Sequence, residues 1–268
     1  MASSKKSGPM GVDPLLPFFP PRTPGPLGMN DAADPDVCTL PGDSPGPIGM
    51  NAGAVAIQAA SGPRFVGSNL SCWLPAPNPN APRLTDKDFQ TAADEYGIEV
   101  AVIRAVAKVE SGGRTGFDAQ GRPKILFEAH VFHKFTKGKH DKQYPQLSQP
   151  TWALGKKYYN LDQWSRMYQA MELDQEAAWK SASWGMFQIM GFNHSGFDTV
   201  EQFVAAMFES EYQHLKSFLA FCADNDLAPV LKKKDWASFA QSYNGAGYKQ
   251  NKYDQTMAKA YDQYSEPK

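Results

Sequence analysis

Three short segments bring together residue types that can do acid chemistry. Val109-Glu110-Ser111-Gly112-Gly113 places a carboxylate at the end of an apolar run. Ser183-Trp184-Gly185-Met186-Phe187-Gln188-Ile189-Met190 sets an amide among large apolar side chains. Gln241-Ser242-Tyr243-Asn244-Gly245-Ala246-Gly247 sets a phenol and a second amide against a glycine-rich turn. Glu110 lies near Val106 and follows Val109, so half-burial is expected, and burial disfavours a charged carboxylate. A helix C-terminus carries partial negative charge and disfavours it further. Both effects raise the pKa, which a general acid near neutral pH requires. Such an acid can protonate the leaving oxygen of a glycosidic bond. The plainer reading is a solvated Glu at a helix end.

A two-carboxylate cleavage needs a base or nucleophile opposite the acid. Asp118, eight residues on, and Glu128, eighteen residues on, are the candidates. Glu128 is preferred, because it follows Phe127 in an apolar stretch where an idle carboxylate is costly. The competing readings are a turn-forming Asp118 and a structural ion pair of Glu128 with Arg122, Lys124 or His130. Gln188 needs a hydrogen-bond partner among its apolar neighbours, either a ligand group or the backbone. Tyr243 can pack beneath Glu110 with its hydroxyl as donor, or simply close a helix with Gly245.

Placing these groups takes a set of mostly helical elements. Thr85 followed by Asp88 is an N-cap with an acidic first turn, and Gly97 closes that helix. Ile98, Val102, Ala105 and Val109 recur at helical spacing, so a second helix runs into Glu110. Asp118-Ala119-Gln120-Gly121-Arg122-Pro123 is a turn flanked by Phe117 and Ile125-Leu126-Phe127, which predicts a small β-hairpin. Most of the chain after Ala129 reads as helix. The clearest case runs from Thr199 to Cys222, with Val204, Phe208, Leu215, Phe218 and Cys222 on one side.

Residues 1–82 have different physics. They hold 16 of the 21 prolines and 10 of the 22 glycines, with only 9 charged residues. Such a stretch cannot order a core of its own, so an irregular arm is expected there, with one core in residues 83–268. Within the arm Gly25-Pro26-Leu27-Gly28-Met29-Asn30 recurs as Gly46-Pro47-Ile48-Gly49-Met50-Asn51, with a weaker copy at Gly8-Pro9-Met10-Gly11-Val12-Asp13. Repeated turns that present Leu, Ile and Met favour docking motifs over a plain spacer. The charge balance, 27 basic against 28 acidic residues, leaves no footprint for nucleic acid or a membrane surface. Cys38, Cys72 and Cys222 match neither a disulfide framework nor zinc spacing. No signal-peptide h-region follows Lys5-Lys6, so synthesis in the cytoplasm and export by another route are expected.

The order E-S, G-x-x-Q, Y-N-x-G resembles the lysozyme-like and lytic transglycosylase superfamily. The stretch Gly121-Arg122-Pro123-Lys124-Ile125-Leu126-Phe127-Glu128-Ala129-His130-Val131-Phe132, together with residues 109–118 and 182–191, is similar to the N-acetylmuramidase family of phage endolysins and related antibacterial effectors. The resemblance covers residues 85–265. It implies a mainly α, lysozyme-like α+β domain that cleaves the bond between N-acetylmuramic acid and N-acetylglucosamine, with Glu110 as the acid. It also implies a sugar groove to which Ser111, Ser183, Gln188, Tyr243, Asn244 and His130 contribute. No cofactor is implied. The expected partners are peptidoglycan strands, a secretion-machine spike or tube protein through residues 1–82, and an immunity protein; a monomer is the default state. A lytic transglycosylase, which uses one carboxylate, is the nearest alternative. Glu128, His130 and His133 also form E-x-H-x-x-H, which would suit a zinc peptidase acting on peptide stems, but the spacing departs from H-E-x-x-H. A wall-binding protein without chemistry would have no need of Glu110, Gln188 and Tyr243 together.

Overall fold

Residues 74–151, 161–244 and 252–266 are described by a computed structural model. The N-terminal repeats, Cys38, Cys72 and the Gly245-Ala246-Gly247 turn lie outside them. Helix α1 (Asp86–Tyr96) begins with a capping box, in which the Thr85 side chain accepts from the Asp88 N–H and Asp88 accepts from the Thr85 N–H. Gly97 ends α1 in the left-handed conformation, as the sequence predicts. Helix α2 (Val100–Ser111) buries Val102, Ile103, Ala105 and Val106 and delivers Glu110 in its last turn.

The expected hairpin is redistributed. Phe117 and Pro123 form only an isolated bridge, closed by Asp118 N–H donating to Arg122 O at 2.8 Å. Proline has no N–H with which to extend that ladder. Strand β1 (Ile125–Phe127) instead pairs antiparallel with β2 (Ala182–Trp184), and β2 pairs with β3 (Ile189–Met190). The true hairpin is therefore β2–β3, with Gly185-Met186-Phe187-Gln188 at its turn. Its register sets Ile125 opposite Trp184 and Trp184 opposite Ile189. Buried Arg166 secures β1 by donating to Phe127 O at 2.9 Å, and its guanidinium stacks over the Phe127 ring.

Helices α3 (Ala129–Thr136), α4 (Gln163–Leu173) and α5 (Gln175–Lys180) surround the sheet. Trp164 on α4 is buried against Trp184 and Phe208, so it serves the core. The helix expected from Thr199 to Cys222 is two helices, α6 (Val200–Glu209) and α7 (Glu211–Asp224). Ser210 between them is extended, at φ −166 and ψ 162, and its hydroxyl caps α7. Both halves keep the predicted stripe buried: Val204, Phe208, Leu215, Phe218 and Cys222 are at most 4% exposed. Helices α8 (Ala228–Lys232), α9 (Trp236–Asn244) and α10 (Tyr253–Ser265) complete the described chain, and α10 packs along α2. No helix among the described residues is long and apolar enough to cross a membrane.

Candidate active site

Glu110 is half-buried in the last turn of α2, which Gly112 closes with left-handed geometry. It reaches the core closely enough to act on a buried thiol. Burial, and next the charge of Glu110, push the Cys222 thiol well above its usual range. Ser111 braces the helix end: its hydroxyl donates to Ala107 O at 2.7 Å and accepts from Gly113 N–H at 3.0 Å. That hydroxyl hydrogen is committed to the backbone.

The β2–β3 turn is held by Gln188. This residue sits at φ +53, a conformation that costs a non-glycine residue energy. Its side chain compensates with three hydrogen bonds. The amide nitrogen donates to Gly185 O at 2.9 Å and Lys124 O at 3.2 Å, and the amide oxygen accepts from Ser183 Oγ at 2.8 Å. Both donor hydrogens of Gln188 are therefore used by the protein, and Ser183 spends its hydroxyl on Gln188.

Tyr243, in the last turns of α9, is fully buried. Its ring stacks on Phe239 and meets Phe218 edge-on. Its hydroxyl donates to Phe187 O at 3.0 Å. A phenol has one hydrogen, so the expected donation to Glu110 is replaced by donation to the β2–β3 turn. Asn244 follows as the last residue of α9.

Asp118 and Glu128 are placed very differently. Asp118 accepts from the N–H of Gln120 and of Arg122 and pairs with the Arg122 guanidinium at 2.8 Å. It builds the turn that its sequence position suggested. Glu128 is 1% exposed, at the N-cap of α3, with one oxygen 3.5 Å from His130 Nδ1. Burial, reinforced by Lys134, lowers the His130 pKa. His133 faces Asp141 instead, at 2.7 Å. Among the described residues no three His, Cys, Asp or Glu side chains converge as metal ligands would.

Two residues at the start of α7, absent from the sequence-level site, tie these parts together. Glu211, 3% exposed, accepts from Gly116 N–H at 2.9 Å, Leu84 N–H at 3.1 Å and Arg83 Nη1 at 3.0 Å. His214 is 1% exposed; its Nδ1 accepts from Met186 N–H at 3.2 Å and its Nε2 donates to Met207 O at 2.7 Å. These partners fix the neutral tautomer, and burial depresses the His214 pKa to about 4. The imidazole lies so close to Gly116 and Gly185 that a Cβ there would stand 2.4 and 2.9 Å from ring atoms. One helix end thus clamps both the loop after Glu110 and the Gln188 turn. A signal existed: Glu211 lies on the same stripe as Leu215, Phe218 and Cys222, where a carboxylate needs a buried partner.

A family described as N-acetylmuramidase matches residues 99–265. Among solved structures, the chain is similar to the Burkholderia AP3 phage endolysin at 36% identity and a TM-score of 0.61, over 68% of this chain and 71% of that one. No curated protein matches. A mainly helical domain with a three-stranded sheet, a half-buried carboxylate at a helix end, and a family match over more than half of its length place the chain in the N-acetylmuramidase family, as a glycoside hydrolase that acts on peptidoglycan.

Proposed function

We propose that Glu110 is the general acid of a muramidase that cuts the β-1,4 bond between N-acetylmuramic acid and N-acetylglucosamine. The observation that carries this is the place of Glu110: half-buried, in the last turn of α2. Partial burial and a helix C-terminus are the two settings that, in general, favour a neutral carboxyl. The proton of Glu110 passes to the bridging oxygen, the C–O bond breaks, and water adds to the sugar carbon while giving one proton to the second carboxylate. Glu128 is our choice for the second carboxylate, because both oxygens of Asp118 are engaged by its own turn. Ser111, Ser183, Gln188 and Tyr243 shape the groove by fixing the helix end and the β2–β3 turn, and His130 and Asn244 are the remaining residues we assign to sugar contacts.

The test is turbidity loss of purified peptidoglycan with wild-type protein and Glu110→Gln. General acid catalysis contributes about 100-fold to 10,000-fold, and a loss of that size is expected. Undiminished lysis by the variant overturns the assignment. A second reading has its own support: with Glu128 1% exposed and Asp118 tied to Arg122, a one-carboxylate transglycosylase mechanism fits the same site. Mass spectrometry of the products separates the two, since hydrolysis leaves a reducing end and the transglycosylase leaves an anhydro sugar.

For delivery, the three G-P-apolar-G units in residues 1–82 support a secreted antibacterial effector docked on a spike or tube protein, with an immunity protein in the producing cell. A phage endolysin is the other route. Capture of spike or tube components by the full chain, but not by a chain lacking residues 1–82, is the expected result.

A further inference from the structure

We propose that the open cavity between α1, α2 and α10 is an anion subsite that receives the carboxylates of peptidoglycan peptide stems. This rests on the muramidase reading above and adds a second point of substrate recognition. The cavity has a volume of about 470 Å³. Four of its lining side chains are cations, Arg83, Arg104, Lys108 and Arg114, against one carboxylate, Glu211. Glu211 accepts from Arg83 and from two backbone N–H groups and Asp86 pairs with Arg104, so the cations outnumber the carboxylates by four to two. The local field therefore favours an anion.

Two of the cations are held in place by aromatic rings of the cavity. The Arg104 guanidinium stacks on Phe89 at 4.5 Å and lies 5.9 Å from Tyr264, and the Lys108 ammonium sits 5.5 Å from the same Tyr264 ring. A stacked guanidinium keeps its N–H groups in one plane and matches a carboxylate fork. Its present carboxylate partner, Asp86, has a side chain that is 94% exposed, where an ion pair gains little over water. Leu84, Phe89 and Met186 add apolar wall, suited to a peptide more than to a bare inorganic ion.

Position supports the choice of ligand. Ser111 and Arg114 line the cavity, and Glu110 immediately precedes Ser111 in the chain. From Arg104 to Ser111 along α2 is roughly 10 Å at 1.5 Å per residue. A stem of three to four residues extends roughly 10–14 Å. Glu110 itself does not line the cavity and points round α2 from Arg104 and Lys108, so a stem leaving a muramic acid bound at Glu110 reaches the cavity past the end of the helix, where Ser111 and Arg114 line it.

The test is binding of a synthetic stem tetrapeptide (L-alanine, D-glutamate, meso-diaminopimelate, D-alanine) to the full chain, followed by NMR and calorimetry, with sodium acetate as the control probe. Saturable binding is expected, with resonances of residues 111–115 shifting and affinity falling as salt rises. Lys108→Gln and Arg114→Gln, both on exposed residues that folding tolerates, should each weaken binding about fivefold to tenfold. Glu110→Gln should bind as wild type does. The proposal is overturned by no binding up to about 10 mM, by wild-type affinity in both cation variants, or by acetate alone producing the same shifts. Because Glu110→Gln retains the subsite, loss or retention of lysis in that variant judges the catalytic assignment separately.

Discussion

Replacing His214 by Gln should flatten the acid side of the stability profile. The imidazole is buried, accepts from Met186 N–H and donates to Met207 O. Both bonds need the neutral tautomer, and a second proton would break the first. Burial is the main cause of its depressed pKa. The Met207 carbonyl and the charge of Glu211 oppose the shift, Arg83 assists it, and the result is about 4 against an ordinary 6.5. Between those pH values the unfolded chain binds a proton at His214 that the native chain refuses, so unfolding becomes more favourable as pH falls. The stabilisation is complete above pH 6.5 and is lost progressively down to pH 4. At about 1.4 kcal/mol per pH unit, the whole window is worth about 3 kcal/mol.

Urea unfolding followed by tryptophan fluorescence at pH 7.5 and 4.5 measures this directly. Wild type should lose about 2–3 kcal/mol more than His214→Gln over that range. His130, whose pKa is also lowered by burial, contributes in the same direction but is present in both proteins and cancels in the difference. A glutamine amide offers an acceptor and a donor and does not titrate, so the comparison isolates the proton. Parallel profiles for the two proteins would refute the argument, because they would mean that His214 accepts a proton in the folded state at no cost.

Three further outcomes follow from the geometry. Asp118→Asn should lower stability by about 1 kcal/mol through the lost Arg122 pair while lysis persists, whereas Glu128→Gln should abolish lysis; full lysis with anhydro products in Glu128→Gln selects the one-carboxylate mechanism. Gly185→Ala puts a Cβ 2.9 Å from the His214 ring at φ +69 and should cost about 1–3 kcal/mol, read by thermal unfolding; an unchanged transition would show that the clamp has slack. Tyr243→Phe leaves Phe187 O without this donor and should cost about 1–3 kcal/mol in the same assay.

Much of this was legible in the chain because the signals were local. The Thr85–Asp88 capping box, the Gly97 and Gly112 helix ends and the buried stripe on α6 and α7 depend on neighbours within one or two turns. The sheet was not legible, because the partner of Ile125–Phe127 lies at Ala182–Trp184, and alternation in three residues does not name a partner. The roles of Gln188 and Tyr243 were hidden for the same reason. Composition says that each needs a hydrogen-bond partner, but only the fold shows that both spend their donors on backbone carbonyls around the β2–β3 turn.

The break at Ser210 shows how local and distant demands meet. A continuous helix from Thr199 to Cys222 would satisfy the apolar stripe, and the residues around the break are ordinary helix formers. Extending the backbone at Ser210 instead restarts the helix, so that Glu211 and His214 come at the beginning of α7. There Glu211 reaches Gly116 and His214 reaches Met186. Gly116 is six residues from Glu110, and Met186 is two from Gln188. The Glu110 loop and the Gln188 turn are thus referenced to one helix end rather than to each other. Catalysis that needs its groups held to fractions of an ångström benefits from such a common anchor. A chain in which α6 and α7 were fused, by replacing Ser210 with alanine and deleting nothing else, would keep its core stripe but lose the Ser210 cap on Gln213 N–H. The expected signature is a fall in the lysis rate larger than the fall in stability, since the clamp loosens before the core does. Equal, small losses in both would show that Glu211 and His214 hold their positions without the break.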